Sequence, residues 1–187
     1  YMVFTYSIGN FPTLRGIEQI RNNICYHNAN VKIISVGGGF AYGDLGMTHH
    51  ATEDIAMMRA LPNMKVYVPS DEVDAVACFK EAVSFYGPAF IRMARGKEAV
   101  FHKQNDIINP SKLQRYTSVG KDINIITCGT LLGEGKKLQK MFENKGVSTG
   151  VFSVLRVKPL CNDEIKELAL NSKLVITMEE HNVVGGF

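Results

Sequence analysis

The sequence has no dense run of lysine and arginine, and its formal net charge is +3. Nucleic-acid binding, which needs a clustered basic surface, has little support. No apolar run reaches the length that crosses a bilayer, and no segment reads as a secretory leader. The four cysteines, Cys25, Cys78, Cys128 and Cys161, are far apart and lack the paired spacing of a metal site. Cys78 and Cys128 fall in apolar segments and read as buried thiols. A reducing, cytoplasmic setting is the expectation. No internal repeat or low-complexity tract is visible.

What is present is a chain of 187 residues, 45% hydrophobic, long enough for one or two domains. Strand and helix patterns alternate. Strands are expected at Tyr1 to Thr5 (buried), Val31 to Val36, Lys65 to Val68 and Pro88 to Met93. Helices are expected at Leu14 to Tyr26, Thr52 to Ala60, and from a cap at Ser70 or Asp71 to about Tyr86. The pattern then lapses, and 101–117 reads as a linker between a first domain, 1–100, and a second, 118–187. The second repeats the alternation, with strands at Ile123 to Thr127, Val147 to Val154 and Leu174 to Met178. Its helices fall at Leu131 to Lys145 and Asp163 to Leu170, and Arg156 to Leu160 reads as a connection. The fold class is α/β, two units with mainly parallel sheets and helices on both faces.

One stretch concentrates chemistry. Gly46-Met47-Thr48-His49-His50-Ala51-Thr52-Glu53-Asp54 follows a strand and a loop rich in glycine (Gly37, Gly38, Gly39, Gly43), and it precedes a helix. A loop-to-helix junction leaves backbone N–H groups unpaired, so a histidine pair there can meet a carbonyl, a hydroxyl or a phosphate. The run continues through Arg59 and Pro62-Asn63-Met64 to a strand ending at Pro69. In this order the residues resemble the transketolase family. Gly87-Pro88-Ala89-Phe90-Ile91-Arg92-Met93-Ala94-Arg95-Gly96 is similar to the end of that family's pyrimidine-binding domain. Lys121 to Thr130, Lys158-Pro159-Leu160 and Glu179 to Gly186 are similar to its C-terminal domain.

The resemblance implies a thiamine-diphosphate (pyrimidine-type) parallel-sheet domain followed by a transketolase C-terminal α/β domain. It implies transfer of a two-carbon ketol unit between sugar phosphates, with thiamine diphosphate as electron sink and Mg2+ beside its diphosphate. His49 matches the family's substrate-facing histidine, suited to proton transfer with a sugar hydroxyl or carbonyl. Arg95 matches the arginine that holds a sugar phosphate. Phe11 resembles the aromatic that stacks on the pyrimidine, with Tyr6 and Arg15 as further cofactor-facing candidates. Arg92 is the weaker choice for phosphate. His181 reads as an interface or capping residue.

The family's Gly-Asp-Gly metal motif does not occur, so no metal site is expected in this chain. The metal and diphosphate would be held by an N-terminal thiamine-diphosphate-binding domain or subunit. The family's catalytic glutamate lies upstream of the part visible here. The chain therefore reads as a fragment, a proteolysed form or one piece of a split enzyme, inactive alone and associating as a homodimer. Leu45 and Gly37 stand where transketolases proper carry an acidic residue and a histidine. That pattern is similar to 2-oxo acid dehydrogenase β subunits, and a 1-deoxy-xylulose-5-phosphate-synthase-like enzyme is a further alternative. A noncatalytic assembly module is the reading from another class.

Overall fold

The computed structural model describes residues 1–96, 98–103 and 106–187. The first sheet has the order β1-β2-β4-β3-β8, with β1 Val3–Ile8, β2 Val31–Val36, β3 Lys65–Tyr67, β4 Ala89–Met93 and β8 Arg156–Lys158. Its first four strands are parallel, in register through Tyr6↔Ile34, Ile34↔Ile91 and Tyr67↔Ile91. β4 shows why it lies centrally. Four of its five residues are buried, and alternation sends Phe90 to one face and Ile91 to the other.

The Phe90 face packs with Ile33 and Val66 against α2 (Asp54–Ala60), through Ile55 and Met58, and against a helical segment containing Ile20 and Cys25. That segment runs through wide π-type turns at Phe11–Arg15 and Ile20–Cys25, with α1 (Ile17–Gln19) between them. The Ile91 face carries Tyr67 and Ala89 beneath α3 (Glu72–Val83), which contributes Cys78 and Ala82. Burying a side chain such as Met58 or Phe90 contributes about 1.5–3 kcal/mol. Of the two candidate caps for α3, Asp71 fills the role, its carboxylate accepting the N–H of Asp74.

The second sheet has the order β5-β7-β6-β9, with β5 Leu113–Arg115, β6 Ile123–Cys128, β7 Thr149–Val154 and β9 Leu174–Met178. The helices α4 (Leu132–Glu143) and α5 (Asn162–Leu170) flank it. Ile126, Cys128, Phe152, Val154 and Leu168 join the core that holds Ile33, Met58 and Phe90, so one apolar interior runs through both units. No helix among the described residues is long and apolar enough to cross a membrane.

Three local expectations change. β1 extends to Ile8 and is not buried: Val3, Phe4 and Tyr6 are exposed, because among the described residues β1 pairs only with β2. The stretch expected as a linker contains β5, which pairs antiparallel with β7. The expected connection after β7 is β8, antiparallel to β3 in the other unit's sheet. Both short strands lack enough residues to show a period of two, so pairing rather than local pattern reveals them.

Candidate active site

In parallel sheets the loops that leave the carboxyl ends of the strands gather at one edge, where ligands usually bind. Here the ends of β1, β2 and β4 supply every element of the site. After β1 comes Asn10, buried, whose side-chain amide donates to the carbonyl of Thr48. This bond ties the turn bearing Phe11 to the loop bearing His49. The two rings meet edge to face, 5.3 Å between centroids, and the Arg15 guanidinium lies over the Phe11 ring at 4.3 Å. Phe11, Arg15 and His49 are thus brought together. Phe11 and His49 are half-buried, and Arg15 is exposed.

The loop after β2 contains two single-turn helices, Gly43–Leu45 and Met47–His49. Thr48 Oγ1 and His49 Nδ1 share a hydrogen bond of 3.0 Å. Among the described residues His49 Nε2 makes no hydrogen bond, which leaves that nitrogen to act outward. His50 turns back on its own loop, with Nε2 3.4 Å from the Gly43 carbonyl and its ring edge-on to Phe40. The loop closes by a two-bond bridge, Gly39 N–H to Ala51 O and Ala51 N–H to Gly39 O, each 2.9 Å.

Arg95, just past β4, is exposed and folds over this loop, donating to the Ala41 carbonyl at 3.2 Å with its guanidinium 4.8 Å from the Tyr42 ring. It shares the edge with His49. Tyr6 does not join the Phe11–His49 group. It projects from β1 on the side of Phe4, which stacks on Phe79 of α3, and it is 73% exposed.

Arg92, read from sequence as the weaker phosphate ligand, is buried. Its Nε donates to Asp54 Oδ2 at 2.8 Å, and its Nη2 donates to the carbonyls of Ala51 at 2.7 Å and Glu180 at 2.9 Å. Burial raises the Asp54 carboxyl above the usual carboxylate range, and the adjacent Arg92 charge offsets only part of that rise. Two glycines make room for this arrangement. A Cβ on Gly38 would collide with the Arg92 guanidinium at Nε, and one on Gly39 would sit 2.5 Å from Glu180 Cβ. The signal in the sequence was an arginine inside an otherwise apolar strand, which demands a buried partner.

A second polar cluster joins the units. Asp71, Asp74 and His102 bring ligand-type atoms within 4.8 Å of one another, although no metal site was expected here. Most of those atoms take part in bonds within the protein, although among the described residues Asp74 Oδ1 is buried without a hydrogen-bond partner. Asp71 accepts the N–H groups of Asp74, Phe101 and His102, while His102 Nε2 lies 3.0 Å from Asp74 Oδ1 and 2.8 Å from the Tyr116 hydroxyl. The Tyr116 hydroxyl also donates to Asp74 Oδ2 at 3.2 Å. Burial, with the Asp71 charge adding to it, raises Asp74 to about 6. A groove of about 1010 Å³ between α3 and residues 106–110 is lined by none of the site residues.

Comparison with known proteins places both units in one family. Residues 1–99 match the transketolase pyrimidine-binding domain, and residues 112–187 match the transketolase C-terminal domain. The chain is 30% identical over 184 residues to an apulose-4-phosphate transketolase subunit of Phocaeicola vulgatus, covering 98% of this chain and 59% of that protein. It is 28% identical over 174 residues to 1-deoxy-D-xylulose-5-phosphate synthase of Heliobacterium modesticaldum, covering 92% of this chain and 27% of the synthase. A solved split-gene transketolase, described as an inactive beta4 tetramer, superposes with a TM-score of 0.88 at 34% identity, over 98% of this chain and 59% of the other. The chain therefore spans less than two thirds of the length of these relatives. With two family domains matched in order over a shared fold, this chain belongs to the transketolase family.

Proposed function

We propose that this chain supplies the pyrimidine-facing and substrate-facing half of a thiamine-diphosphate-dependent transketolase, which moves a two-carbon ketol unit between sugar phosphates. A separate N-terminal domain or subunit would complete it, holding the diphosphate and Mg2+, and the assembly would contain two copies of this chain. The observation that carries the reading is the grouping of Phe11, Arg15 and His49 at the carboxyl edge of the sheet. The residues suit the cofactor. A half-exposed aromatic offers a stacking surface for a flat heterocycle, and no backbone or side chain lies within 4 Å of a Cβ placed on Gly43 or Gly46.

The cofactor, when bound, supplies the electron sink for cleavage and formation of the bond next to the carbonyl. The chain's own residues do the rest. Phe11 and Arg15 orient the pyrimidine. Asn10, through Thr48, fixes the distance between that pyrimidine and His49. His49 keeps Nδ1 on the Thr48 hydroxyl and uses Nε2 to give or take a proton at a sugar oxygen. Arg95 presents a guanidinium at the outer end of the same edge, suited to a terminal phosphate.

A second reading, a 1-deoxy-xylulose-5-phosphate-synthase-like reaction on the same cofactor, draws support from the likeness to the Heliobacterium modesticaldum synthase over 92% of this chain. The exposed apolar side chain of Leu45 stands where transketolases proper carry an acid that contacts substrate, a pattern shared instead with 2-oxo acid dehydrogenase β subunits. A panel of acceptors separates the two.

The test is calorimetric titration of thiamine diphosphate with Mg2+ into the full-length protein mixed with its N-terminal partner. Binding that requires the mixture and weakens about two- to tenfold in Phe11→Ala, the loss of a stacking contact, supports the reading. Absence of binding in every mixture overturns it and leaves the noncatalytic assembly module.

A further inference from the structure

Arg92 touches neither Phe11 nor His49, yet among the described residues it is the one side chain that bonds to three separate parts of the molecule around the site. Its partners are Asp54 at the start of α2, the carbonyl of Ala51 at the base of the His49 loop, and the carbonyl of Glu180 in the C-terminal unit. The Ala51 carbonyl also receives the Gly39 N–H that closes the loop. Arg92 therefore pins the loop at its closure point, two residues from His49. The Glu180 side chain reinforces the junction, accepting from Thr130 Oγ1 at 2.9 Å while its Cβ occupies the space left by Gly39. A residue that only neutralised Asp54 would need one N–H, and lysine would serve as well. The observed fork uses Nε and Nη2 together, in a socket shaped by Gly38, and only a guanidinium fills it.

We propose that Arg92 is a positioning residue through which the C-terminal unit holds the His49 loop in its working geometry. The proposal deepens the transketolase reading and rests on it for its catalytic consequence. Its structural consequence, a loop whose closure depends on Arg92, can be read without any reaction.

The test uses the full-length protein with its N-terminal partner and two variants that act differently. Arg92→Lys keeps the charge opposite Asp54 and loses the fork. Gly38→Ala keeps Arg92 and places a methyl group against its Nε. In both, amide hydrogen exchange over residues 47–52 should quicken about tenfold while β2 and β4 stay protected. In both, kcat for ketol transfer should fall at least about tenfold with thiamine diphosphate affinity unchanged. Combined with His49→Ala, neither variant should reduce kcat further, because the effect runs through His49. Arg92→Lys with wild-type exchange and kcat would show that Arg92 only balances Asp54, and would overturn the proposal. Losses that add to those of His49→Ala would overturn it too. If the wild-type assembly transfers no ketol unit, the functional reading fails, while the exchange arm still decides whether Arg92 and Gly38 hold the loop.

Discussion

His181 and Ala56 join the two units at a helix end: the imidazole Nε2 of His181 accepts the backbone N–H of Ala56 at 3.2 Å. Ala56 is the third residue of α2, so its N–H is one of the donors a helix start leaves unpaired. Nδ1 faces the Asn182 carbonyl at 2.9 Å, which places the ring proton there and leaves Nε2 as the acceptor. His181, expected from sequence at an interface or a cap, fills the cap. Replacing it with alanine should destabilise the protein by about 0.5–2 kcal/mol, the range for a lost cap. Urea unfolding of the two proteins at neutral pH measures it.

Glu81 serves both units. It accepts from the fully buried Tyr67 hydroxyl at 2.9 Å and from Arg156 of β8 at 2.6 Å. Burial, with the Glu81 charge adding to it, holds the Tyr67 phenol protonated at all ordinary pH. Glu81→Leu should cost about 1–3 kcal/mol, since it strands that hydroxyl inside the protein. Adding Tyr67→Phe should recover part of the loss. A denaturation cycle with the two single variants and the double reads the coupling.

Asp74 gives a pH dependence with a defined sign. Its folded pKa, about 6, lies above the ordinary carboxylate value, so the folded protein holds this proton where the unfolded chain has released it. The contribution is therefore full below about pH 4 and is lost as pH rises through about 6. Relative to wild type, Asp74→Asn should gain stability between pH 4 and 7, on the order of 1–3 kcal/mol. Thermal unfolding across that interval tests it. Parallel curves for the two proteins would be the contrary result.

Arg95 separates binding from chemistry. If it holds the phosphate of the substrate, Arg95→Ala should raise KM for a sugar phosphate about tenfold to a hundredfold, the loss of a charge-assisted bond. Its kcat should change little, because the contact persists unchanged into the transition state. A substrate lacking the phosphate should show no difference between the two enzymes.

Much of this molecule is legible in its sequence. β2 is read to its final residues because Val31 to Val36 are rich in β-branched side chains and flanked by turn residues. The grouping of Phe11 with His49 is not legible, since it depends on how the turns after β1 and β2 converge, and no local pattern encodes that. Tyr6 is a different case. An aromatic near the right strand end is a fair candidate, but alternation along β1 sends it to the face of Phe4 and Phe79. Arg92 escapes for a physical reason as well. An arginine inside an apolar strand signals a buried partner, but only the folded chain shows that partner to be Asp54 with two carbonyls.

The pairing of β8 with β3 has a consequence for how the protein is made. The edge of β3 that faces β8 is completed by residues 156–158, which leave the ribosome only after the whole first family domain and most of the second sheet. Until then the nascent first unit carries an open strand edge, the kind of surface that chaperones shield and that mispairs with other chains. Completion of the first sheet is thus scheduled by the second unit. An exchange of C-terminal units between relatives would have to bring a strand that fits Val66 and Tyr67, or the recipient would emerge with its sheet unfinished.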